Sequence, residues 1–106
     1  MSTPEASTQE EEAQRHWTFV TNHTQVLLCI STNPQIRLRD IAAHVGITER
    51  AAQRIVADLV TAGYVLRERN GRRNHYAIDR AREMRHPAQL GFEIGPLLDL
   101  LQRPND

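Results

Sequence analysis

Leu38-Arg-Asp-Ile-Ala-Ala-His-Val-Gly46-Ile-Thr48-Glu-Arg-Ala-Ala-Gln-Arg-Ile-Val-Ala-Asp-Leu59 carries two helical periodicities separated by one glycine. Leu38, Ile41, Ala42 and Val45 share one face of a brief helix. Gly46 follows where that helix must stop and a left-handed backbone is cheap. Ile47 packs the turn, and Thr48 is a good N-cap for what comes next. The capping box is incomplete, because Ala51 stands where Glu or Gln would close it. The spacing predicts a second helix from Glu49 to about Ala62, with Ala52, Ile55, Val56, Leu59 and Ala62 as its apolar stripe. Glu49, Arg50, Gln53, Arg54, Ala57 and Thr61 make the opposite face, and Gly63 ends the element.

Downstream, Tyr64 to Ile78 reads as a hairpin. Val65, Leu66, Tyr76 and Ile78 are strand-like, and Asn70-Gly71 is a strong turn signal between them. Arg69, Asn70, Arg72, Arg73 and Asn74 crowd the tip. Residues 79–87 are charged and show no clear pattern, whereas Pro96 to Gln102 reads as a short apolar helix with proline in its first turn. Upstream, Trp17 to Ser31 reads as a first helix, with Trp17, Val20, Thr24, Leu27, Leu28 and Ser31 at helical spacing. Asn33-Pro34 closes it, since the residue before proline resists helical angles. Ile36 and Arg37 leave room for a short strand. Met1 to Gln14 is polar and acidic without aromatics, the pattern of a disordered tail. No internal repeat is present.

The 106 residues amount to about one domain. No apolar run reaches the roughly 20 residues of a membrane helix, and the N-terminal stretch lacks the apolar core of a signal peptide. Cys29, the single cysteine, has no internal disulfide partner, so a cytoplasmic location is the expectation. The zero net charge conceals a pattern. Residues 1–14 hold four Glu and no basic residue; residues 15–86 hold twelve Arg against six acids; residues 87–106 hold one Arg against three acids. A basic centre between acidic ends suits an anionic partner, although surface asymmetry alone also produces it. All 13 basic residues are Arg. The guanidinium fork suits phosphates and guanine edges, but codon usage in a GC-rich genome accounts for the bias more simply.

Two short helices joined by a glycine turn and followed by a basic hairpin form a geometric solution to DNA binding. One helix crosses the backbone while the second inserts its N-terminal half into the major groove. The exposed face must then be free of bulky apolar groups, as Glu49, Arg50, Gln53, Arg54 and Ala57 are. Leu38 to Leu59 resembles the helix-turn-helix of bacterial winged-helix regulators. Leu59-Val-Thr-Ala-Gly-Tyr-Val-Leu-Arg-Glu-Arg-Asn-Gly-Arg-Arg-Asn-His-Tyr76 resembles their helix, Gly-Tyr, strand, wing and strand segment. The resemblance is to the MarR-like and ArsR-like superfamily and covers about residues 17–80. Ala42, Gly46 and Ile55 match its pattern; Ala52 departs from it, where a larger branched residue commonly sits. The fold expected is mainly α with a small β-hairpin wing: a winged helix-turn-helix with a three-helix DNA-binding core and N- and C-terminal helical extensions. Residues 1–14 would be the acidic tail, 15–86 the DNA-binding domain and 87–106 a helical extension serving dimerisation.

The function expected is sequence-specific binding of double-stranded DNA by a homodimeric transcriptional regulator. Its recognition helix, about 49–62, would enter the major groove, with the wing, about 65–78, on the flanking backbone or groove. Half-sites would lie about one DNA turn, ~34 Å, apart. Arg50, Gln53 and Arg54 are the base-reading candidates, against the plain alternative of a solvated helix face. Arg69, Arg72, Arg73 and Asn74 are candidates for wing contacts to phosphate, and Arg39 for a backbone contact from the first helix of the motif. Thr48 and Glu49, at the start of the recognition helix, complete the DNA-binding candidates; Glu49 favours the helix N-terminus electrostatically more readily than it accepts from cytosine. Cys29 lies in Val26-Leu-Leu-Cys-Ile30 and reads as a buried small hydrophobe rather than a redox sensor. The five His have no metal-ligand spacing, and no cofactor is implied. Leu97, Leu98, Leu100 and Leu101 exceed what a short surface helix needs, and a dimer contact is preferred over core packing. The chain carries no catalytic motif, so no enzyme activity is expected. A small-molecule effector has no supporting motif, since a pocket at a dimer interface would leave none to read. The alternative, from another functional class, is a winged-helix protein–protein adaptor without specific DNA binding.

Overall fold

The computed structural model describes residues 17–102. Four α-helices and one antiparallel hairpin follow in the order α1 (Asn22–Thr32), α2 (Leu38–Val45), α3 (Glu49–Thr61), β1 (Val65–Asn70), β2 (Arg73–Ile78) and α4 (Ile94–Leu101), with one 3-10 turn at Pro87–Gln89. This is the mainly helical, winged helix-turn-helix architecture expected. The acidic stretch 1–14 lies outside the described residues.

The first helix starts later than its periodicity suggested. Thr21 is its N-cap, with the hydroxyl oxygen accepting from the Thr24 N–H at 3.2 Å. Trp17 and Phe19 lie ahead of the cap, edge-to-face at 5.2 Å, and both are exposed, Phe19 at 96%. Trp17 supplied helical spacing in the sequence, but neither ring is buried in the fold. The C-terminal end behaves as proline requires: Asn33 takes φ −141°, ψ 96°, and the helix stops at Thr32. Ile36 and Arg37 form no strand, because Arg37 is already the N-cap residue of α2. Only the Pro34 carbonyl takes part in a strand-like contact, accepting from the Tyr76 N–H at 2.8 Å.

The helix–turn–helix bounds follow local chemistry. Gly46 adopts φ 85°, ψ 36°, a left-handed conformation that costs a Cβ-bearing residue about 1–2 kcal/mol. The N–H groups of Gly46 and Ile47 both donate to the Ala42 carbonyl, closing the end of α2. Thr48 caps α3 by accepting from the Ala51 N–H at 3.0 Å. At the far end Gly63 and Tyr64 donate to the Val60 and Leu59 carbonyls, the paired bonds of a Schellman motif.

The core gathers one stripe from each element. Val26 and Ile30 of α1, Ile41 of α2, Ala52 and Val56 of α3 and Leu98 of α4 are essentially inaccessible to solvent. Leu27, Cys29, Ala42, Ile55, Leu59, Tyr64, Val65, Tyr76 and Ile94 complete it. Each buried Val, Leu or Ile side chain contributes about 1.5–3 kcal/mol. Ala52 fills its place without the larger branched residue of the family pattern. Cys29 is also buried, and loss of solvent pushes its thiol pKa up, consistent with a packing role. Outside the core, His23 Nε2 meets Asp58 Oδ2 at 3.0 Å, fastening the start of α1 to the last turns of α3.

In the hairpin, Asn70 pairs with Arg73, so the two-residue loop is Gly71-Arg72. The turn therefore sits one residue beyond the Asn70-Gly71 centre suggested by the sequence. Gly71 takes φ 68° at the first loop position, where a II′ turn places glycine. After β2 the chain returns to the core along residues 79–93. Tyr64 Oη donates to the Glu83 carbonyl, Glu83 bridges Glu93, and Arg80 holds Asp99 of α4 at 2.7 Å. Leu98 of α4 is thereby packed inside, whereas Leu100 is 79% exposed. The apolar C-terminal helix divides its leucines between core and surface.

Candidate nucleic-acid interface

The core-facing stripe of α3 determines what its other side offers. With Ala52, Ile55, Val56 and Leu59 turned inward, Arg50, Gln53, Arg54 and Ala57 stand exposed together at helical spacing. Glu49 is exposed in the first turn, where a carboxylate favours the positive end of the helix dipole. The Thr48 side chain is engaged in capping α3, so its first duty is to the helix. Arg39 is exposed on the first turn of α2. These side chains present two guanidinium groups and one amide on the helix of the motif that the turn projects outward.

The hairpin register sorts the wing residues onto two faces. Val65, Arg67 and Arg69 of β1 lie opposite Ile78, Tyr76 and Asn74 of β2, on the face that reaches the core. Asn70 and Arg73 lie on the other face, with Glu68 opposite His75, and Arg72 occupies the loop. Arg69 Nε donates to the Gly71 carbonyl at 3.2 Å, folding its stem along the turn. Asn74 is half-buried, with its amide nitrogen 3.4 Å from Tyr76 Oη. It is thus turned toward the tyrosine, unlike the exposed arginines around it. The tip is basic on both faces rather than along one edge.

Arg67 belongs with this set and escaped the sequence reading, which concentrated on the tip. The available signal was the two-residue alternation that puts Arg67 beside Arg69. Arg37, the N-cap residue of α2, is likewise exposed. Among the described residues the ion pairs are His23–Asp58 and Arg80–Asp99. None of the arginines of α2, α3 or the hairpin is paired with a described carboxylate. Such a surface holds concentrated positive charge open to an anion. Among the described residues no group of three His, Cys, Asp or Glu side chains comes together as a metal site, and no helix is long and apolar enough to cross a membrane.

No curated protein matches the chain. The model of the MarR family matches residues 20–73, which is 54 of 106 residues and runs from the residue before the Thr21 cap through α1, α2, α3 and β1 to the start of β2. With the glycine turn, the exposed Arg50/Gln53/Arg54 face and the arginine-rich hairpin in place, the chain belongs to the MarR family of DNA-binding transcriptional regulators.

Proposed function

We propose that the chain is a homodimeric, sequence-specific regulator that reads a pseudo-palindromic DNA site. The exposed face of α3 carries this reading: Arg50, Gln53 and Arg54 stand together, without described ion-pair partners, on the outward helix of the motif. Arginine pairs bidentately with guanine and glutamine with adenine, so this face has the donors and acceptors for base edges. Arg39 meets the backbone from α2. Arg67, Arg69, Arg72 and Arg73 neutralise flanking phosphates from the hairpin, with Asn74 in a supporting place beside Tyr76. Residues 15–86 act as the DNA-binding unit and 87–106 as the dimerisation element.

Dimerisation is supported by the apolar surface around α4. Leu90, Phe92 and Leu100 are each more than 60% exposed. Two grooves flank the helix: one of about 780 Å³ mixes Leu28, Ile36 and Leu101 with Gln25, Asn33 and Gln102, and one of about 460 Å³ is mainly apolar, bordered by Phe92, Leu97 and Leu100. Apolar area of this kind on a small domain marks an interaction surface. A two-fold partner covering it sets two copies of α3 side by side for adjacent half-sites.

The test is titration of the purified chain against random-sequence duplex DNA at two salt concentrations, followed by selection of a preferred site. Binding that weakens steeply with salt, plus a selected site with two-fold symmetry, is expected. Folded protein that ignores duplex DNA at low salt would falsify the reading and promote the adaptor alternative.

A further inference from the structure

The helix α4 packs on α1 and makes no close backbone approach to α3. Residues 79–82 nevertheless join the two. The Asp79 N–H donates to the Tyr64 carbonyl, just past the end of α3, at 2.9 Å. The Arg82 and Arg80 carbonyls accept from the Ile94 and Gly95 N–H groups, both at 2.9 Å, where α4 begins. Arg80 Nη2 adds the Gly95 carbonyl at 3.1 Å and Asp99 Oδ1 at 2.7 Å. No side chain fits between them, since a Cβ on Gly95 would lie 2.9 Å from the Arg80 oxygen. The segment thus grips the first turn of α4 through main-chain bonds.

Its hold on the recognition helix comes through the Arg82 side chain. A Cβ on Gly63 would sit 2.8 Å from Arg82 Cζ and 3.0 and 3.1 Å from the two terminal nitrogens. Nearly equal distances, with the central carbon nearest, put the guanidinium face-on over the glycine that closes α3. A cation there also meets the negative end of the helix dipole. Arg50 lies thirteen residues before Gly63, roughly 20 Å along the axis, so Arg82 acts on the reading face only through the helix.

We propose that Arg82 is a positioning residue: stacked on Gly63 and bonded to Ile94, it fixes α3 relative to α4 and thereby sets the half-site spacing that the protein accepts. This rests on the homodimer reading. One base pair added between half-sites moves the second by about 3.4 Å and turns it by about 34°. A stiff joint between recognition helix and dimer element rejects that displacement. A loosened joint lets each α3 swing onto its own half-site.

The experiment compares the full chain with Arg82→Ala and Arg82→Lys. The duplexes carry the selected half-sites at their preferred spacing, at one base pair more and one fewer, and one half-site alone. In the free protein, Arg82→Ala should speed hydrogen exchange at the Ile94 and Gly95 amides about tenfold and leave Val56 unchanged. It should bind the preferred spacing about five-fold more weakly, while its penalty for a one-base-pair change falls from about tenfold to about two-fold. Lysine keeps the charge without the flat face, so Arg82→Lys should follow Arg82→Ala; full recovery by lysine would overturn the stacked joint. Should Arg82→Ala unfold, Arg82→Lys carries both measurements. Equal losses on every duplex, the single half-site included, or unchanged exchange at Ile94 and Gly95, overturns the proposal. A parent chain that sediments as a monomer and ignores spacing removes the homodimer reading and the spacing role with it, while exchange at Ile94 and Gly95 still decides whether the joint exists.

Discussion

Arg54 occupies the middle of the exposed stripe of α3, where a base-reading side chain and a phosphate-binding one have different consequences. Arg54→Ala should cost about 1–3 kcal/mol on the selected site and less on random duplex, as measured by paired titrations. Equal losses on both sequences would assign it to phosphate. Gly46 presents a purely conformational problem. Its φ is 85°, yet a Cβ built there meets nothing within 4 Å. Gly46→Ala should therefore lower stability by about 1–2 kcal/mol in denaturant unfolding without disturbing packing. A loss near zero would mean that the turn relaxes to a right-handed form. Arg50, Gln53 and Arg54 were legible as an exposed set because helical period assigns faces locally. Asn74 was not, since its contact with Tyr76, two residues on in the same strand, forms only once β2 is extended and Tyr76 is buried.

The hairpin acts as a unit, because its charge is distributed over both faces and the loop. Replacing Arg72 and Arg73 together by Ala should flatten the dependence of log affinity on log salt by about one to two units. An unchanged slope would remove the tip from the interface. The pair is the right probe because Arg72 sits in the loop and Arg73 on the outer face, so one docking orientation need not use both. A drop of one unit would identify a single contacting face. Among the elements, α2 and α3 match their expected bounds closely, since Gly46, Thr48 and Gly63 punctuate them with backbone chemistry that needs no distant partner. The start of α1 was misplaced. Trp17 extends an apolar periodicity that no neighbouring surface covers, and the Thr21 cap takes precedence.

At the scale of the whole molecule, α4 faces both the core and solvent, and the proposed dimer uses its exposed side. Leu98 is fully buried against the core while Leu100 is 79% exposed, two residues away on the same short helix. Leu98→Ala should cost about 2–5 kcal/mol in unfolding free energy. Leu100→Glu with Leu101→Glu should leave the monomer folded and shift sedimentation from dimer to monomer. A double variant that still sediments as a dimer would place the two-fold elsewhere. Much of this protein was determined by the sequence itself: a helix–glycine turn–helix, a basic hairpin and an outward face of Arg50, Gln53 and Arg54. Those features rest on helical period, left-handed glycine and capping, all of which act over a few residues. Tertiary structure alone decided the hairpin register that makes Gly71-Arg72 the loop, the division of the C-terminal leucines, and the fastening of α1 to α3 through His23 and Asp58. Register depends on how two strands align, and the leucines and the His23–Asp58 contact on which surface lies opposite; neither leaves a periodic trace in the chain.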